Sequence, residues 1–201
     1  MVAQGNEAGG HTGGTGTLSL LQTVLKLARP YDVPVLAAGG IASGTALAAV
    51  LAGGAAGAWM GTRFYVTSES RADPEAKRRI READGESTVY TRVFDVASRQ
   101  PWPAHLAGRA LRNQFTEAWH GREADLAAAQ PRPGALLADG KARVDYDIAP
   151  VWAGQAAALI DDEPTAGQVL RDLVHEAEHA LLGAAATVRS PRSNCQNVPT
   201  A

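Results

Sequence analysis

The chain has 201 residues, 45% of them hydrophobic and 20% charged, with a formal net charge of −2. That length can bury a core in one domain or in one domain with a smaller lobe, and the charge balance gives no electrostatic reason to expect nucleic acid or an anionic membrane as a partner. A single cysteine, Cys195, excludes an internal disulfide and fits a cytoplasmic location.

Taken in chain order, Val2-Ala3-Gln4 reads as the end of a strand and 5–16 as a Gly-rich loop with no leader-like basic and apolar regions. Leu18, Leu21, Leu25 and Ala28 recur at helical spacing up to Arg29-Pro30. Residues 33–38 form a short apolar strand running into Gly39-Gly40. Ser43 then caps a helix with Leu47, Val50 and Leu51 on its buried face, stopped by Gly53-Gly54. Ala58-Trp59-Met60 is the next strand, ending at Gly61-Thr62. The stretch 33–62 carries no charge, but Pro34 and its glycines break it into pieces too short to span a membrane. The order β-α-β-α-β predicts parallel strands covered by helices, with every glycine cluster at the carboxyl edge, where such folds hold ligands.

Farther on, Asp73-Pro74 opens a basic helix over 75–83, whose Lys77-Arg78-Arg79 run reads as a solvated face. Residues 88–96 read as strand or extended chain, 106–120 as a helix with Leu111, Phe115 and Trp119 four apart, and 131–147 as a loop. A final helix from 164 to about 182 places Val169, Leu170, Leu173, Val174, Ala177 and Leu181 on one side. The segment after it reads as a disordered tail.

Three clusters carry the chemistry. His11 stands alone among Gly9, Gly10 and Gly13, which leaves it open whether it is a loop residue without a role or a site residue. Gly39-Gly40-Ile41 and Gly61-Thr62-Arg63 end neighbouring strands and offer converging backbone amides, with the helix at Ser43 bringing a positive dipole end to the same place. That is the setting of a phosphate, and it favours a site role for His11. A rival motif, His175-Glu176-Ala177-Glu178-His179, satisfies H-E-x-x-H, but the apolar stripe turns both histidines away from the core. No metal site is expected there.

Gln4-Gly5-x-Glu7-Ala8-Gly9-Gly10-His11-x-Gly13, then 34–41, then Gly57-Ala58-Trp59-Met60-Gly61-Thr62-Arg63-Phe64, resemble the nitronate monooxygenases in words, order and spacing. Arg112-Asn113 with Trp119, and Trp152-Ala153-Gly154-Gln155, resemble the C-terminal lobe of that family. The resemblance implies an α/β fold: part of a TIM barrel over 1–70, a mostly helical lobe over 71–147, a segment packing back over 148–185 and a tail over 186–201. It implies FMN at the carboxyl face, with Gly5 and Gly10 along the flavin and Gly39, Gly40, Trp59, Met60, Gly61 and Thr62 around its phosphate end. It implies His11 as catalytic residue and oxidation of a nitronate or nitroalkane by dioxygen to a carbonyl compound and nitrite. Ala56 departs from the acidic residue expected before the last strand, and the chain opens inside what looks like the sixth of eight strands, so the resemblance implies a mis-started or fragmentary version of a longer enzyme. The alternatives are an FMN-dependent enoyl-acyl carrier protein reductase, which shares the Glu-Ala-Gly-Gly-His loop, and a non-catalytic barrel remnant. Oligomeric state is left open.

Overall fold

The computed structural model describes residues 1–189. Strand β1 is Val2–Gln4, β2 is Gly10–Thr12, and α1 is Thr17–Ala28. Strand β3 is Leu36–Ala38, α2 is Gly44–Ala52, and β4 is Gly57–Trp59. β1, β3 and β4 form a parallel sheet in that order, with Gln4, Ala38 and Trp59 in register. Alternation along such short strands gives each face a distinct fate. Ala3 and Ala37 point to the helices and bury with Leu21, Ala28, Val35, Ile41 and Val50. Val2, Gln4 and Trp59 lie on the other face and are exposed. Ser43 caps α2 as expected, its hydroxyl accepting from the Ala46 amide at 3.2 Å. On α1 the expected face is only partly buried: Leu21 and Ala28 are covered, while Leu18 is exposed.

The next elements are α3 (Thr62–Tyr65), α4 (Pro74–Arg81), β5 (Thr88–Thr91), α5 (Val93–Ser98) and β6 (Ala107–Leu111). They are followed by α6 (Gln114–Trp119), α7 (Glu123–Ala128) and α8 (Arg132–Ala142). β2, β6 and β5 build a second, antiparallel sheet, so the region expected to be mostly helical contains strands. Its core joins Val93, Phe94, Ala97, Ala110, Phe115, Leu126 and Leu137. The expected helix over 106–120 is instead β6 followed by α6. Asn113 divides them: its side chain accepts from the Thr116 amide while the Thr116 hydroxyl accepts from the Asn113 amide, a reciprocal cap that starts a new helix. The expected loop over 131–147 contains α8. Pro133 sits in its first turn, where a missing N–H costs little, and Leu137 is buried.

Lys77 also departs from the expected solvated face. It is buried, donating to the Thr67 carbonyl at 2.7 Å and to Glu163 at 2.9 Å. Helix α9, Ala166–Arg189, buries Val169, Leu173 and Ala177 but leaves Leu170 and Val174 exposed. It runs through 186–189, four residues expected in the tail; the remaining tail and Cys195 lie outside the described residues. Among the described residues no helix is long and apolar enough to cross a membrane.

Candidate functional site

The loop between β1 and β2 is held from both sides. The Gly5 amide donates to the Ala38 carbonyl at 2.9 Å, and the Asn6 amide to the Thr15 carbonyl at 2.9 Å. Glu7 accepts from the Thr17 amide at 2.7 Å and from the Thr17 hydroxyl. Thr17 opens α1, and Gly16 before it has no side chain to cap the helix, so the loop carboxylate takes that part. Arg109 of the second sheet donates through Nε to the Asn6 carbonyl at 2.7 Å, and from the short helical turn Gln155–Leu159 the Gln155 amide donates to the Glu7 carbonyl at 2.8 Å. Arg109 is itself buried over the Tyr90 ring, and desolvation draws its pKa below the usual value while the nearby Glu7 opposes this.

Opposite this loop, β3 ends in Gly39 and Gly40 with φ of +106° and +70°. A Cβ on Gly39 would lie 2.9 Å from the Ala8 amide nitrogen, so close approach and backbone conformation both demand glycine. The two turns and the loop enclose a cavity of about 400 Å3 on the open face and carboxyl end of the parallel sheet. Gln4, Ala8, Gly9, Gly39, Gly40, Ile41, Trp59, Met60 and Gly61 border it. Among the described residues, the amides of Gly39, Gly40, Ile41, Gly61 and Thr62 donate to no other group.

The sequence-predicted residues thus divide. Gly39, Gly40, Trp59, Met60 and Gly61 line one cavity, as do Ala8 and Gly9, which were not singled out. Gly5 does not border it; a Cβ there would meet the Thr17 hydroxyl oxygen at 2.3 Å, so its smallness serves packing against α1. Gly10, at φ +79°, turns the chain into β2. Thr62 stands beside the cavity, with its hydroxyl accepting from the Gly154 amide at 2.9 Å. The α2 amino terminus is not free for a phosphate in the way expected: the Gly44 amide donates to Glu176 at 2.8 Å.

His11 lies two residues beyond Gly9, on β2 opposite Gly108. Its Nε2 is 2.9 and 3.0 Å from the two carboxylate oxygens of Asp95. The imidazole stacks on Trp102, with centroids 4.1 Å apart and planes within 12°, and tilts against Trp152 at 5.3 Å. Sequence reasoning missed Asp95 and Trp102. A lone acid inside Val93-Phe94-Asp95-Val96-Ala97 is the signal that could have found the first, because a carboxylate in an apolar run needs a partner.

His175 and His179 are exposed with rings 4.5 Å apart, Glu176 caps α2, and among the described residues no three His, Cys, Asp or Glu side chains converge.

Parallel strands ending in glycine turns around one cavity, with a carboxylate-paired histidine on β2 just beyond the loop that borders it, give an α/β protein whose candidate ligand site lies at its strand ends. The chain belongs to the nitronate monooxygenase family, whose sequence model matches residues 1–176. It is 34% identical to a nitronate monooxygenase of Pseudomonas aeruginosa, over 88% of this chain and 50% of that protein. It is 33% identical to (3aS,4S,5R,7aS)-5-hydroxy-7a-methyl-1-oxo-octahydro-1H-indene-4-carboxyl-CoA dehydrogenase of Mycobacterium tuberculosis, over 94% of this chain and 62% of that one. Its structure is similar to FabK of Thermotoga maritima, with TM-score 0.75 and 30% identity over 92% of this chain and 56% of that one. It is also similar to a nitroalkane oxidase of Streptomyces ansochromogenes, with TM-score 0.72 and 31% identity over 91% and 52%. The chain spans about half the length of most of these proteins.

Proposed function

We propose that the protein serves FMN-dependent oxidation of nitronates or nitroalkanes by dioxygen, giving a carbonyl compound and nitrite. On this reading its parallel sheet is part of a TIM barrel. The observation that carries it is the shared cavity: two glycine turns with unpaired amides face the loop that leads into His11. The residues fit the cofactor. Turn amides at strand ends suit a phosphate, and a cavity of about 400 Å3 is within the range of small-ligand sites. Gly39, Gly40, Ile41 and Gly61 would hold the phosphate end, while Ala8, Gly9 and Met60 flank the rest. FMN, when bound, supplies the electron-accepting chemistry that side chains lack.

His11 takes the α-proton of a neutral nitroalkane, or holds an anionic nitronate by charge and hydrogen bonding. Trp102 and Trp152 shield the imidazole from water and present apolar surface to a substrate's alkyl part. The relatives named nitronate monooxygenase and nitroalkane oxidase support the substrate class.

The test is FMN titration of the 201-residue chain, followed by oxygen uptake with a neutral nitroalkane and with its nitronate. Retention of flavin, nitronate-dependent uptake, and loss of neutral-nitroalkane turnover in His11→Ala with flavin retained are expected. Failure to retain FMN overturns the reading, as does turnover of enoyl or hydroxyacyl thioesters in place of nitronates, or unchanged kinetics in His11→Ala.

A further inference from the structure

We infer that Asp95 is a positioning residue that fixes His11 in its Nε2–H tautomer and makes Nδ1 the nitrogen that meets the substrate; this rests on the role of His11 proposed above. Neutral imidazole carries one proton on either of two nitrogens, and the hydrogen bond at one nitrogen decides which. An ionised carboxylate only accepts, so a neutral His11 facing it must carry the proton on Nε2. Here both Asp95 oxygens lie within 3.0 Å of that nitrogen. The Asp95 side chain is 5% exposed, against 19% for His11, and among the described residues its carboxylate has no other hydrogen-bond partner.

The rest of the ring is constrained by the same stretch of chain. Asp95 lies in the first turn of α5, and Trp102 follows on the exit from that helix, flanked by Pro101 and Pro103. Fixed proline φ angles limit the paths open to Trp102, whose indole covers one imidazole face. Helix α5 and its exit thus take the Nε2 edge and a ring face together. Nδ1 is left without a hydrogen-bond partner among the described residues. It is the atom available to receive a proton or donate one to bound substrate.

The test reads the tautomer directly. 15N-histidine-labelled chain is examined by NMR at a pH where His11 is neutral, with its signals assigned by their absence in His11→Gln. The expected spectrum has the pyrrole-type nitrogen at Nε2. Asp95→Asn, which can either accept from or donate to Nε2, is expected to admit the Nδ1–H form. It is also expected to lower kcat at least about tenfold with KM little changed, since general acid–base catalysis contributes roughly 10²–10⁴-fold. Asp95→Glu should restore the Nε2–H form. Neutral His11 protonated at Nδ1 in the unaltered chain overturns the inference, as does an unchanged tautomer ratio in Asp95→Asn. An Nδ1–H spectrum of the unaltered chain overturns the inference even if the variants do not fold. Because the spectrum needs neither flavin nor turnover, an Nε2–H spectrum with no nitronate activity would overturn only the proposed function.

Discussion

Replacing Glu7 tests whether the acid of the Glu-Ala-Gly-Gly-His loop is structural or reactive. Its carboxylate accepts from the Thr17 amide at 2.7 Å and from the Thr17 hydroxyl, at the start of a helix whose preceding residue, Gly16, offers no cap. A hydrogen bond to a charged group contributes about 1.5–3 kcal/mol. A carboxylate at a helix amino terminus adds about 0.3–1 kcal/mol. The two bonds share one oxygen and do not add in full, so Glu7→Ala should cost about 2–4 kcal/mol. Glu7→Gln keeps a neutral acceptor and should cost about half that. Urea unfolding followed by circular dichroism would measure both, and a double-mutant cycle with Thr17→Val should show coupling of about 1–2 kcal/mol. The reasoning fails if Glu7→Ala unfolds within about 0.5 kcal/mol of the unaltered chain. It also fails if turnover collapses in Glu7→Gln with stability and FMN affinity unmoved.

Glu176→Gln should lower stability by about 1 kcal/mol through loss of the charged cap on Gly44, and leave zinc affinity, measured by titration calorimetry, unchanged. Gly39→Ala should cost at least about 1–3 kcal/mol from its positive φ alone and weaken FMN binding further by pushing Ala8 out of place, both read by flavin-monitored thermal unfolding. Glu69 is held below the usual carboxylate range, chiefly by accepting from the Ala166 amide at the start of α9. Its contribution is therefore complete above the ordinary glutamate value and is lost as pH falls through the lowered one, so hydrogen exchange at Ala166, corrected for intrinsic rate, should accelerate over that acidic window.

The parallel sheet was legible because its signals are local. Each short apolar strand stops at glycines that the next turn requires, as at Ala38-Gly39-Gly40, and Ser43 announces α2 by itself. The antiparallel sheet was not, because its evidence is distant in sequence. β6 is buried at every position, so it lacks the alternation that marks a half-exposed strand, and Leu111 blended with Phe115 and Trp119 into a false helical period. Helix α8 carries Pro133, Gly134 and Gly140, whose propensities argue for loop. Packing overrides them: a Cβ on Gly140 would sit 2.8 Å from the Ile148 side chain, so glycine there permits close approach of the following segment. Gly39, Gly40 and Gly61 could be chosen from sequence as cavity-lining, though not Gly9, whereas the Asp95 partner of His11, 84 residues away, depends on the unrecognised β2–β6 pairing and the placement of α5.

Glu7 of the Gly-rich loop and Glu176 of the H-E-x-x-H stretch do the work of caps, and that bears on how the site would bind an anion. Glu7 neutralises the amino terminus of α1 and Glu176 that of α2, each reaching its helix from elsewhere in the chain. Both helix ends are therefore answered by negative charge, which diminishes their pull on a phosphate. Several amides at this edge donate to no group among the described residues, those of Gly39, Gly40, Ile41, Gly61 and Thr62 among them, and on the proposed function these would recognise the anion. A backbone amide needs no particular side chain, but it needs its turn held in one conformation. Gly39, tight against Ala8, and the Thr62 hydroxyl bound to the Gly154 amide provide that constraint. On this account, substitutions that loosen the two turns should weaken anion binding more than substitutions that change the charge of Glu7 or Glu176, for equal losses of global stability.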